Sequence, residues 1–314
     1  MGTPAFAAAV LEPLCQAHTV AAAVTQPDKA VGRGHNVQPS PVKALALARG
    51  IPVFQPKRLR HPENVESLRQ WKADVIVVAA YGQILPADVL IMPRYGCVNV
   101  HASLLPKYRG AAPIRWAIIH GEAETGVTIM QMDEGMDTGG MLLKQAVPIG
   151  PDDDYAALHD RLAAIGARAL LTVLEQIESG TARPEKQNNA EATNAPRITT
   201  ETGKIDWRKP PVDIVNLIRG LCPLPGAHTF YDGEWIKIRR ARAEEAPPHT
   251  SGRLQTVFQP GEIIEGDKQG LLVRAGPAGG CVRILEMQAK GGRKMPAADY
   301  LRGHPMRMGA LLGL

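Results

Sequence analysis

The chain is 314 residues long, 45% hydrophobic and 21% charged, a globular balance with room for two domains of ordinary size. Its formal net charge is +5, too mild to mark it by itself as a nucleic-acid protein. No apolar run is long enough to cross a bilayer, and the start lacks the basic, apolar and small-residue succession of a secretory leader, so a membrane or secreted protein is not expected.

In chain order, Gly2-Thr3-Pro4 reads as a strand-to-helix turn, with Thr3 as N-cap and Pro4 at the first helical position of a helix running to about Gln16. A doubly wound sheet places a strand before such a turn, usually the central one. Only Met1 precedes it here, so the chain is expected to start late. The first strand would then be missing, with an unfilled slot between the strands at 21–25 and 74–80 and reduced stability. Residues 21–25 read as a strand and 41–49 as a helix capped by Ser40 with Pro41 at its first position. Residues 74–80, DVIVVAA, are a continuous β-branched run, the sign of a strand buried on both faces. A strand at 96–101, a helix at 113–120 and a strand at 126–132 follow. The alternation predicts an α/β fold with a doubly wound, mostly parallel sheet.

Residues 152–178 read as a long helix with an acidic first turn. A polar stretch with Gln187, Asn188, Asn189 and Asn194 follows, and residues 181–197 read as a linker between a catalytic domain, 1–180, and a second domain, 198–314. The second domain opens with an amphipathic helix at 211–220. Short strands then come at 228–231, 235–241, 261–264, 270–275 and 281–287, with turns at Asp232-Gly233 and Lys268-Gln269-Gly270. This predicts a small barrel like the oligonucleotide-binding (OB) type. Residues 1–180 hold 16 Lys+Arg against 17 Asp+Glu, whereas residues 181–314 hold 20 against 14. A polyanion partner for the second half and a merely solubilising surface fit that asymmetry equally well.

The chemistry centres on Asn99-Val100-His101 at the end of its strand. Asn99 and His101 face the same side, at the carboxyl edge where open α/β sheets bind ligands. An amide donor beside an imidazole can polarise a carbonyl that is becoming an oxyanion. A hydrogen-bonded core histidine is the plainer reading of an isolated N-x-H. Further on, Asp133-Glu134-Gly135-Met136-Asp137-Thr138-Gly139-Gly140 is an acidic, glycine-rich turn between two apolar strands. It can bring a carboxylate to His101, favouring its protonated form, or it can be a simple turn or cation site.

Together, NVHASLLPKYRGAAPI from Asn99 and DEGMDTGG from Asp133 closely resemble the folate-dependent formyltransferases. Gly2-Thr3-Pro4, Thr25-Gln26-Pro27-Asp28, Pro39-Ser40-Pro41-Val42-Lys43, Ala80-Tyr81-Gly82-Gln83-Ile84-Leu85-Pro86, Gly126-Val127-Thr128-Ile129-Met130, Lys204-Ile205-Asp206-Trp207 and Pro225-Gly226-Ala227 extend the resemblance over essentially the whole chain. They resemble the branch of that family which acts on methionyl-tRNA. The resemblance implies 10-formyltetrahydrofolate as co-substrate and the amino group of methionyl-initiator tRNA as acceptor. It implies Asn99, His101 and Asp137 as catalytic residues, Ser103, Leu104, Leu105 and Pro106 as the folate segment, and the loop 29–37 with Arg33 as a contact to the tRNA acceptor stem. Asn99 and protonated His101 would stabilise the tetrahedral oxyanion, and Asp137 would hold His101 charged and assist proton transfer, with no metal. The protein is expected to be a cytoplasmic monomer.

Other classes read less well. A hydrolase using Cys97 with His101 needs a contact that residues four apart on a strand do not make. A metal-dependent deformylase would show H-E-x-x-H or a similar cluster, and Gly32-Arg33-Gly34 lacks the third glycine of a dinucleotide fingerprint. The cysteines at 15, 97, 222 and 281 form no C-x-x-C pair and read as reduced thiols. An RNA-binding protein without catalysis would draw on the second half, where Lys237 and Arg239 share a strand face suited to phosphate. It would leave the site in the first half unexplained. A formyltransferase acting on an amino sugar nucleotide shares the two-domain outline, and the Arg33 loop and basic second half favour tRNA over it.

Overall fold

The apolar runs 74–80 and 96–101 become neighbouring parallel strands in the computed structural model, which describes residues 1–31, 36–245, 259–277 and 279–313. Two compact units emerge. The first takes residues 1–113, 124–148 and 158–196, and the second takes 114–123, 149–157 and 197–314. Among the described residues, no helix is long and apolar enough to cross a membrane.

In the first unit, α1 (Ala5–Ala17) precedes β1 (Ala23–Val24), which pairs in parallel with β2 (Val53–Phe54). α2 (Pro41–Ala48) starts as its sequence predicts, with the Ser40 hydroxyl accepting the Lys43 N–H at 3.1 Å. α1 differs. Pro4, not Thr3, is the N-cap, because the Thr3 hydroxyl instead donates to the Tyr81 carbonyl and accepts from the Gln26 amide.

β3 (Ile76–Val78) pairs in parallel with β4 (Cys97–His101), placing Val78 beside Asn99. The short β5 (Arg109–Gly110) follows. β6 (Glu124–Gln131) then runs antiparallel to β4 and β7 (Met141–Pro148) antiparallel to β6, so this half of the sheet departs from the parallel expectation. Apolar pattern signals a strand and its burial but not its direction. The reversal from β6 to β7 follows from the short connection at 132–140, which can only turn the chain back. β7 lies where the sequence places an apolar strand after the acidic turn, although its middle, Lys144-Gln145-Ala146, is exposed.

The two strands expected to flank a slot are not hydrogen-bonded to each other. Met1 and Gly2 lie between them. The Met1 amino group donates to the Val77 carbonyl at 2.5 Å, the Ala79 amide to the Met1 carbonyl at 2.9 Å, and the Gly2 amide to the Val24 carbonyl at 2.9 Å. Burial drives the Met1 amino group down to about 6. A cavity of about 870 Å³ borders these residues, with Val10, Leu14, Val20, Trp71 and Val75 in its wall.

α3 (Tyr155–Glu178) covers one face of the sheet with a stripe that includes Leu158, Leu162, Ile165, Leu170 and Val173. Asp152, Asp153 and Asp154 precede the helix rather than forming its first turn, and the Asp154 carboxylate accepts the Ala157 N–H at 2.9 Å. At Gly166 the helix comes so close to the sheet that a Cβ would lie 2.9 Å from Val100 Cγ1 and 3.4 Å from Val127 Cγ1. β8 (Asn194–Ala195), inside the stretch that reads as a linker, pairs in parallel with β5.

The second unit contains α4 (Pro211–Leu221) and the strands β9 (Ala227–Tyr231), β10 (Glu234–Glu244), β11 (Ile263–Asp267), β12 (Gly270–Ala275) and β13 (Gly280–Ala289), followed by α5 (Ala297–Gly303). The strands form an antiparallel sheet in the order β9-β10-β13-β12-β11, and among the described residues the pairing does not close from β11 back to β9. Its core gathers Trp207, Ile214, Ile218, Ile236, Val273 and Ile284. The Trp207 indole donates to the Thr229 hydroxyl at 3.0 Å, so the one polar atom of that buried ring is satisfied.

Gly166→Leu should overpack the interface between α3 and the sheet and cost about 1–3 kcal/mol or more. The check is a lowered midpoint in thermal or denaturant unfolding. An unchanged midpoint would show that α3 does not need the close approach.

Candidate active site

All five residues of β4 are buried, and the alternation of a strand divides them between two environments. Val100 meets α3 at Gly166. Asn99 and His101 face the other way, only 8% and 5% exposed. The loop after β6 brings Asp137 to the same place. Its Oδ2 lies 3.7 Å from His101 Nδ1 and accepts the Gly110 N–H at 2.8 Å, while Asn99 Nδ2 donates to Oδ1 at a long 3.5 Å. The three residues assigned from the Asn99–His101 and Asp133–Gly140 motifs therefore converge.

The ring of His101 is oriented by its other nitrogen. Nε2 is 3.0 Å from the Tyr108 carbonyl, which can only accept, so Nε2 carries a hydrogen and donates. Nδ1 is left facing the carboxylate. Asp137 and Tyr108 both adopt left-handed backbone conformations, with φ of 54° and 62°. For residues other than glycine this is uncommon and costs on the order of 1 kcal/mol or more, and such positions gather at functional sites.

The segment that resembles a folate site follows directly. Ser103 is fully buried and its hydroxyl donates to the Lys107 carbonyl at 2.6 Å. Leu105 packs with Met130 and Met141, Pro106 is buried, and Leu104 remains partly exposed. Thr128 ties this loop to β6, donating to the Ser103 carbonyl and accepting the Leu105 N–H. Exposed apolar side chains include Ile84 at 85% and, beside Asp137 in sequence, Met136 at 71%. Arg33 lies outside the described residues. Among the described residues, no three His, Cys, Asp or Glu side chains stand together as a metal site.

Composition alone does not reveal Gln187 and Arg109. Gln187, 4% exposed, donates from Nε2 to the carbonyls of Asp137 and Gly139, both at 2.8 Å. Its Oε1 accepts from Arg109 Nε at 3.0 Å and Nη2 at 2.7 Å. The only sequence cue was a run of amides, which reads equally as a polar linker.

In the second unit, Lys237 and Arg239 do share a strand face, but both serve the chain's own backbone. Lys237 Nζ donates to the Pro225 carbonyl at 2.7 Å, and Arg239 bonds the Pro223 carbonyl and Gln288. Arg283, 5% exposed, is surrounded by Glu244, Glu265 and Asp267. Exposed cations among the described residues of this unit, such as Arg197, Lys204, Lys209, Arg240, Lys268, Lys290 and Arg293, suit a polyanion better.

Comparison with known proteins points to one family. The profile of the formyl transferase family matches residues 1–174, and that of the formyl transferase C-terminal domain matches residues 197–305. A methionyl-tRNA formyltransferase of Caldanaerobacter subterraneus subsp. tengcongensis is 51% identical over 314 residues, covering 99% of this chain and 98% of its own. One from Geobacter sulfurreducens is 45% identical and covers 100% and 95%. A solved N-formyltransferase from Helicobacter canadensis, in complex with folinic acid and dTDP-3-aminofucose, covers 92% of this chain and 97% of its own, with a TM-score of 0.65. At 20% identity, that likeness is one of fold.

Cys97 sits on the same strand face as Asn99, but burial pushes its thiol up to about 12 and its sulfur donates to the Val89 carbonyl. Native protein treated with iodoacetamide at neutral pH should remain unlabelled at Cys97 by peptide mass spectrometry, whereas denatured protein should be labelled there. Rapid native labelling accompanied by loss of activity would revive a thiol nucleophile.

Proposed function

The chain belongs to the formyl transferase family, and we propose that it moves the formyl group of 10-formyltetrahydrofolate to the amino group of methionyl-initiator tRNA, as a cytoplasmic enzyme of translation initiation. The observation that carries this reading is the meeting of Asn99, His101 and Asp137 in a chain half-identical, over nearly its full length, to a protein bearing that name.

The chemistry joins the acceptor nitrogen to the formyl carbon and breaks that carbon's bond to N10 of the folate. One proton must leave the amine and one must reach N10. A tetrahedral oxyanion lies between the two bond changes, and fixed donors stabilise it without reorganising at the moment of reaction. Asn99 supplies an amide donor from a buried, strand-held position. His101 is turned by the Tyr108 carbonyl so that Nδ1 is the nitrogen available to the site. Asp137 complements a proton on Nδ1, and its carboxylate takes the proton that leaves the amine and passes it toward N10.

Ser103, Leu105 and Pro106 shape the wall of the folate site by their packing, and Leu104 offers the side chain that a ring could touch. The excess of cations in residues 181–314 supports the tRNA assignment. Exposed cations such as Lys204, Arg240, Lys290 and Arg293 offer donors for it in the second unit, and Arg33 is assigned to the acceptor stem.

The direct test is transfer of labelled formyl from 10-formyltetrahydrofolate to charged initiator tRNA, with an amino sugar nucleotide as the competing acceptor. Formylation of the sugar alone would overturn the acceptor assignment. Asn99→Ala and His101→Ala should each lower kcat by about 10²–10³ while both substrates still bind. A variant keeping more than about a tenth of the rate would remove that residue from the oxyanion role. Asp137→Asn should be impaired to a similar degree, and added magnesium or zinc should not restore it.

A further inference from the structure

The polar stretch at 185–195 reads in sequence as a tether, yet within the first unit it is bonded to both loops that build the site. At one end the Glu185 and Met141 backbones exchange hydrogen bonds, each at 2.8 Å. At the other, β8 pairs with β5, the Thr193 carbonyl accepts the Arg109 N–H and the Thr193 hydroxyl accepts the Tyr108 N–H, both at 2.9 Å. Between them Asn189 Oδ1 accepts from Arg109 Nη2 at 2.8 Å. At the centre is Gln187.

We propose that Gln187 is a positioning residue for formyl transfer, holding the Asp137 loop in its active shape through the carbonyls of Asp137 and Gly139. The inference rests on the reading that Asp137 acts in the reaction. Arg109 presents only donors, so the Gln187 amide must turn its oxygen toward Arg109 and both N–H groups toward the loop. Those two bonds bracket Thr138 and fix the backbone on each side of it. The loop needs such a restraint. Asp137 is left-handed without being glycine, and at Gly139 a Cβ would lie only 1.8 Å from the Gln131 carbonyl oxygen, so the backbone there is already pressed against β6. Released from Gln187, Asp137 would relax toward an ordinary conformation and swing its carboxylate away from the Gly110 N–H, Asn99 and His101. The hydrogen bonds of Gln187 go to Arg109 and to the carbonyls of Asp137 and Gly139, so its effect passes through Asp137.

The test is Gln187→Met, which keeps length and volume and removes every polar bond, with Gln187→Glu as a second variant that keeps shape but replaces the donors with an acceptor. Thermal unfolding of each variant gives the folded fraction to which rates are referred. In both, kcat should fall about 10²-fold, the scale of a misplacement near 1 Å. KM for folate and for tRNA should stay within about threefold. In an Asp137→Asn background the same change should lower kcat no further, because the two residues act as one unit. A kcat within about twofold of wild type, or losses that multiply with that of Asp137→Asn, would overturn the positioning role. Near-normal activity of Asp137→Asn alone would instead overturn the assignment of Asp137 on which it rests.

Discussion

The Asp137 carboxylate accepts the Gly110 N–H at 2.8 Å from a left-handed backbone, and much of the first unit serves to hold that bond. A carboxylate on a glycine-rich loop would otherwise point into solvent, where it is best hydrated. Its conformation costs on the order of 1–3 kcal/mol, and persists only where the surroundings fix it from several sides. Gly110 is held by the β5–β8 pairing, and Asp137 by its loop. His101 depends on the same architecture, because the Tyr108 carbonyl that orients its ring belongs to a residue whose own backbone is left-handed. The strand β4 delivers Asn99 and His101 to one face by simple alternation. Only the loops decide what they meet there.

This division explains why the site is both buried and open to adjustment. β4 is paired on both edges and covered by α3 on one face, so its two functional side chains have few alternatives. The carboxylate is delivered by a connection of nine residues between β6 and β7, whose shape depends on bonds to distant segments. The geometry proposed for catalysis combines a strand-held pair of side chains with a carboxylate on a loop, and that loop is bonded by a segment some fifty positions along the chain.

In the second unit, charge counted from sequence and charge available at the surface are different quantities. Lys237 and Arg239 neutralise carbonyls of the 223–225 turn, and Arg283 is enclosed by three carboxylates. Such buried or half-buried cations are retained because leaving their partners unpaired would cost more than pairing them. The polyanion-facing charge must come from other cations of the same basic segment.

Sequence alone determined the elements whose signals are local. Ser40 and Pro41 marked the start of α2, the β-branched runs marked β3 and β4, and the glycine-bounded run 270–275 marked β12. The motif N-x-H placed two side chains on one face because a strand repeats every two residues. Local signals did not determine strand direction, the cap of α1, or the role of residues 185–195. Each of those depends on a partner far away in the chain. The Thr3 hydroxyl is drawn to Tyr81, and β8 becomes a strand only because β5 offers it an edge. An amide such as Gln187 carries the same pattern in a linker as in a clamp. Only tertiary structure brought the carbonyls of Asp137 and Gly139 within its reach, and so decided which polar residues hold the site together.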